Sequence, residues 1–180
     1  TSTQPLVLSD LNPNTEYNFT VKAENTTEEG ASSNSVLVIT LPAVVTGLGV
    51  DNITANGCTL TWTPLAGTLS YNIYNGEDLY TTTGTQPLVL SSLTANTGYN
   101  FTVKATNATG EGAPSNSVAV LTLPAAVVDL GVNAVTATGC TLTWTPIAGL
   151  SYNVYNGEDL YTTTGMQPLV LSLTANTGYN

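Results

Sequence analysis

One segment of this chain occurs twice, 82 residues apart. Gly57-Cys58-Thr59-Leu60-Thr61-Trp62-Thr63-Pro64 returns as Gly139-Cys140-Thr141-Leu142-Thr143-Trp144-Thr145-Pro146. Gln4-Pro5-Leu6-Val7-Leu8 returns at 86–90 with the same offset, and again at 167–171 with an offset of 81. The lost residue is visible where Gly67-Thr68-Leu69 has become Gly149-Leu150. A period of about 80 residues exceeds the roughly 20–45 of a stacked solenoid unit. It matches a small independent domain, so the chain is expected to be a tandem array of such domains.

Within one period the hydrophobic pattern has a period of two. Cys58, Leu60 and Trp62 alternate with Thr59, Thr61 and Thr63, and Tyr99, Phe101, Val103 and Ala105 alternate with Asn100, Thr102 and Lys104. Successive side chains of a strand point to opposite faces, so each run presents one apolar and one polar face. Turn signals separate the runs: Asn75-Gly76, Asn96-Thr97-Gly98, Thr109-Gly110-Glu111-Gly112 and Leu123-Pro124. Asn-Gly at 75–76 and 156–157 reads as a hairpin turn in which both residues accept positive φ. No segment carries helical periodicity. Short, Thr-, Val- and Tyr-rich strands at this spacing predict an all-β sandwich.

Three features in order carry a family resemblance. A lone Trp lies on the second strand. The run from Leu93 through Asn96-Thr97-Gly98-Tyr99 to Asn107 follows, and Gly110-Glu111-Gly112-Ala113-Pro114-Ser115-Asn116-Ser117-Val118 closes the pattern. The chain resembles tandem fibronectin type III domains, immunoglobulin-like β-sandwiches, in their compact bacterial form. The resemblance implies that Trp62 and Trp144 fill the cores. It also implies that Tyr17, Tyr99 and Tyr179 make a corner by bonding the hydroxyl back to upstream backbone. Cys58 and Cys140 hold the same place in successive repeats, too far apart to bridge, and read as small buried apolar residues.

On this pattern residues 1–41 are the C-terminal half of a repeat, 42–123 a complete repeat, and 124–180 the N-terminal two-thirds of another. A half sandwich exposes its inner face and strand edges. Either the chain is a window on a longer array, or its ends complete each other between molecules. Thr164–Asn180 duplicates Thr1–Asn18, so an end-to-end join would supply one strand twice, which favours the window. Leu171-Ser172-Leu173 is one residue shorter than Leu90-Ser91-Ser92-Leu93, so a register slip or a bulge is expected there. The linkers Leu41-Pro42-Ala43 and Leu123-Pro124-Ala125 are short and stiffened by Pro, which predicts a rod.

Charge narrows the function. The chain has 2 Lys plus Arg, 12 Asp plus Glu and no His, a net charge of −10. Such a surface repels phosphate backbones and anionic lipid, so nucleic-acid and membrane-surface partners are not expected. No apolar run reaches transmembrane length, and Thr1-Ser2-Thr3-Gln4 does not open a signal peptide. Only 8% of residues are charged, so Thr, Asn, Ser and Gly supply the polarity, which suits an extracellular or cell-surface setting.

Without His, the His-based triads are excluded, and neither Cys has a base beside it. The adjacent acids Glu77-Asp78 and Glu158-Asp159 follow a hairpin turn, and neighbours on a strand point apart, so no enzyme is expected. No cofactor is expected either. Calcium is the metal to consider, but Asp51, Asp129, Glu28, Glu29 and Glu111 form no dense Asp-x-Asp pattern. Thr59, Thr61, Thr63 and Thr81 to Thr83 form polar rows, and Tyr74, Tyr80, Tyr155 and Tyr161 recur around the acidic hairpin. Both suit a carbohydrate ligand or lateral contacts, while ordinary β-propensity at a polar face explains the Thr rows as well and half-buried sandwich tyrosines are the commoner case. Asn18, Asn25, Asn52, Asn100 and Asn107 open Asn-x-Thr sequons.

The leading expectation is a structural extracellular array: part of a surface fibre, filament or adhesin stalk that acts by stiff spacing and self-association. The alternatives are a non-catalytic spacer of a secreted polysaccharide-degrading enzyme and a virion or phage fibre adhesion module.

Overall fold

The structure, a computed structural model, describes residues 5–165 and 168–172. It divides into two units, Thr1–Pro124 and Ala125–Asn180.

The first unit opens with β1 (Glu16–Phe19), β2 (Lys22–Glu24), β3 (Glu29–Ser32) and β4 (Val36–Ile39), in which β1 pairs with β4 and β2 with β3. There follow β5 (Gly49–Asp51), β6 (Cys58–Thr61), β7 (Ser70–Asn75), β8 (Asp78–Thr83), β9 (Leu88–Leu90), β10 (Gly98–Thr106) and β11 (Val118–Leu121). These last seven form two antiparallel sheets, ordered β5-β6-β9 and β11-β10-β7-β8. Their inner faces share one core, so residues 43–121 form a β-sandwich.

Alternation decides the core. Phe101, Val103 and Ala105 of β10 are fully buried, while Thr102 and Lys104 between them face outward. Leu60 of β6 and Ile73 of β7 close the centre. Trp62, just past β6, is 4% exposed, and its ring centroid lies 5.2 Å from that of Tyr71 at 60°. The Tyr71 hydroxyl accepts the Leu65 N–H at 2.8 Å, so this buried ring keeps its polar tip satisfied. Cys58 is buried and free, and burial pushes its thiol pKa up.

A corner closes the top of the sandwich. The Tyr99 hydroxyl accepts the Thr94 N–H at 2.8 Å. Thr122, 1% exposed, donates to the Thr94 carbonyl at 2.6 Å and accepts the Thr97 N–H at 2.9 Å. The same bonds occur one repeat earlier: Asn12 N–H to the Tyr17 hydroxyl at 2.8 Å, and Thr40 Oγ1 to the Asn12 carbonyl at 2.7 Å. Tyr17 and Tyr99 themselves are half-buried, each stacked on a Phe at 5.6 Å. Tyr179 lies outside the described residues.

Identical local structure gives different burial in residues 1–41. Tyr17 pairs with Val38 as Tyr99 pairs with Val120. Val38 is nevertheless 39% exposed and Val120 only 2%, because a second sheet covers Val120.

The second unit contains β12 (Gly131–Thr136), β13 (Gly139–Thr143), β14 (Tyr152–Asn156), β15 (Asp159–Thr164) and β16 (Leu169–Ser172), in sheets β12-β13-β16 and β14-β15. Trp144 is buried, 5.1 Å from the Tyr152 ring. Cys140 pairs with Leu171 as Cys58 pairs with Leu90. The residue lost at Gly149 falls between β13 and β14 and so disturbs neither register. Cys140 is half-buried, and among the described residues no counterpart of β10 closes this unit. The slip expected at Leu173 lies outside the described residues.

The hairpins also need a correction. Asn75 and Asp78 are paired strand residues, so the loop is Gly76-Glu77. Only Gly76 has positive φ, 62°, and Gly157 repeats it at 62°. This is the pattern of a type II′ turn, which needs glycine at its first position alone.

Replacing Trp62 by Ala removes a buried aromatic from the centre of the core, an expected loss of about 3–5 kcal/mol. Amide exchange at Phe101 and Val103 measures it; unchanged protection there would refute the core placement.

Candidate functional site

A polar cluster lies on the outer face of the sheet β11-β10-β7-β8. Cross-strand register creates it. Lys104 stands opposite Asn72 and Thr102 opposite Tyr74, which puts the Lys104 side chain beside both β7 residues. Lys104 Nζ lies 4.2 Å from the Tyr74 ring centroid, within cation–π range.

Glu111 reaches this face from the loop between β10 and β11, anchored by a bridge between Glu111 and Thr106. One carboxylate oxygen accepts from Asn72 Nδ2 at 2.6 Å and from the Tyr74 hydroxyl at 2.7 Å. The other accepts from Lys104 Nζ at 3.1 Å. Asn72 Oδ1 in turn accepts from Thr82 Oγ1 at 2.6 Å, extending the network onto β8. The donors, Asn72 foremost and then Tyr74, hold the Glu111 carboxyl below its ordinary range. The hydrogen bond to Glu111 raises both the Tyr74 and the Lys104 pKa.

Parts of the network recur. Lys22 Nζ meets Glu29 at 2.9 Å in the first repeat, where the pair is far more exposed. Thr163 donates to Asn153 at 2.8 Å in the second unit. The chain's two cations, Lys22 and Lys104, are both spent on these acids. Three side chains from β7 and β10 thus hold Glu111, and the cluster clasps its loop onto the sheet.

The other sequence-derived candidates scatter. Glu77 and Asp78 are exposed at a turn. Asp129 accepts from Thr145 Oγ1 at 2.6 Å. Tyr80 packs edge-on against Phe101 at 5.7 Å, Tyr161 donates to the Ser172 carbonyl, and Tyr155 is 55% exposed. Among the sequon asparagines, Asn25 is exposed and Asn107 half-buried. No group of three acidic or thiol side chains suited to a metal occurs among the described residues. No described helix is long and apolar enough to cross a membrane. Sequence reading missed Tyr71, flanked by the polar Ser70 and Asn72, and the joining of Glu111 to Tyr74, 37 residues apart.

Glu111→Gln tests the clasp. A carboxylate held low stabilises the fold fully above its unfolded pKa of about 4.3 and loses that contribution as pH falls through the folded value. The thermal midpoint of the parent should therefore exceed that of the variant at neutral pH, and the gap should close below roughly pH 4. A gap independent of pH would show that the charge does not matter.

The fibronectin type III domain model matches residues 43–120, the sandwich described above. Chitinase A1 of Niallia circulans is 37% identical over 64% of this chain and 18% of its own length. Endoglucanase B of Cellulomonas fimi is 28% identical over 98% of this chain and 19% of its own. The chain thus spans less than a fifth of these curated relatives. A two-domain fibronectin type III segment from chicken tenascin is 22% identical, with 62% of this chain and 67% of that one covered at a TM-score of 0.48. Residues 43–120 thus form a fibronectin type III domain.

Proposed function

We propose that this chain is a non-catalytic spacer of tandem fibronectin type III repeats, extracellular, in a protein that acts on polysaccharide. The observation that carries the reading is the nature of the match to its relatives. The chain aligns almost end to end with a minor stretch of an endoglucanase, 19% of that enzyme. Chitinase Chi52 of Paenibacillus xylanexedens matches it in the same partial way, over 16% of its length. A segment this small beside the rest of an enzyme fits a module that spaces other domains. The residue chemistry agrees: no His, both Lys engaged by acids, and a surface of Thr and Asn.

The surface fibre, filament or adhesin stalk rests on the same repeats and stiff linkers, with self-association as its added requirement.

Sedimentation velocity of the full chain, with hydrolysis and retention assays on insoluble chitin and cellulose, tests the proposal. An elongated monomer without hydrolysis or saturable retention is expected. Concentration-dependent polymers would replace the spacer by the fibre, retention would make the chain a carbohydrate-binding module, and hydrolysis would overturn the non-catalytic reading.

A further inference from the structure

Residues 1–41 meet the 43–120 sandwich through side chains from three loops as well as through the linker. Asn14, at φ 48°, stands before β1 and points both polar ends of its carboxamide across the junction. Its Nδ2 donates to the Ala66 carbonyl at 2.6 Å, and its Oδ1 accepts from Asn107 Nδ2 at 2.9 Å. Asn107 Nδ2 also donates to the Thr40 carbonyl at 2.8 Å, and Thr109 Oγ1 to the Ile39 carbonyl at 2.7 Å.

The Asn107 amide cannot turn round. Its Oδ1 accepts the N–H groups of Thr109 at 2.9 Å and Gly110 at 3.2 Å in its own loop, which aims both Nδ2 hydrogens at the preceding segment. A flipped amide would set its oxygen against the Thr40 carbonyl and Asn14 Oδ1. Close approach requires glycine on the facing loop: Gly67 has φ 72°, and a Cβ there would collide with Asn14 Nδ2. An open hollow of about 280 Å³, bordered by Asn14, Glu16, Ile39, Leu69 and Asn107, lies beside these bonds.

We propose that the Asn14–Asn107 carboxamide pair is a joint that fixes the orientation of one repeat on the next. It rests on the spacer reading and assigns the stiffness to a polar lock, where the linker alone would leave rotation free at Leu41 and Ala43. Some of these residues recur in the sequence, Asn14 as Asn96, Ala66-Gly67 as Ala148-Gly149 and Thr40 as Thr122.

Asn107→Asp is the discriminating variant. It keeps the acceptor for Thr109 and Gly110, deletes both donors, and sets a charge against two acceptors. Spin labels on Thr26→Cys and Glu77→Cys, both exposed, report the junction by pulsed dipolar distance measurement in the full chain; Cys58 is buried, so only Cys140→Ser is needed as background. The parent should give a narrow distribution. The variant should give a broadened or displaced one, with the closed arrangement falling on the order of tenfold relative to open forms. Amide protection at Val103 checks that the sandwich itself is intact. Asn14→Asp, which removes the bond to Ala66 and leaves the sandwich unaltered, serves if Asn107→Asp does not fold. Narrow, unchanged distributions in parent and variant would overturn the joint while leaving a stiff spacer, its rigidity then due to the linker. A broad distribution in the parent would overturn both.

Discussion

The sandwich depends on the alternation of β10. This strand pairs with β7 on one side and β11 on the other, so it holds its sheet together. Phe101, Val103 and Ala105 point inward and are fully buried. Lys104, between Val103 and Ala105, points outward and becomes the only cation of the outer-face cluster. A one-residue slip would exchange these roles, burying Lys104 without its partner and exposing Phe101. The core and the clasp are thus two faces of one register.

From that strand the loops acquire their work. The loop between β10 and β11 is held at one end by Glu111, through Asn72, Tyr74 and Lys104, and offers Asn107 and Thr109 at the other. A polar network on the sheet face therefore supports the segment that meets the preceding repeat. The individual bonds are modest, each of order 1 kcal/mol net. Their effect lies in converging on one short loop.

Much of this was legible in the sequence. The alternation around Trp62 and Phe101 gave strands and the side that is buried, and the 82-residue offset gave the unit. The Tyr99 hydroxyl bond lies only five residues from its partner Thr94, short enough for a local motif to announce it. The bond between Asn14 and Asn107 spans 93 residues, and that between Tyr74 and Glu111 spans 37. Neither has a periodic signature, because an Asn or Glu in a loop looks alike whether it faces water or another loop.

What the sequence alone determined is the repeat, the all-β pattern, the absence of His and the acidic balance; these follow from residue identity and spacing. Tertiary structure decided which equivalent residues are core. Val38 and Val120 occupy the same place in identical pairings, yet one is 39% exposed and the other 2%. It also decided that Asn107 meets Asn14 and Thr40, 93 and 67 residues away in the sequence. The reason is physical: pattern fixes which way a side chain points, but burial and pairing depend on what arrives opposite it.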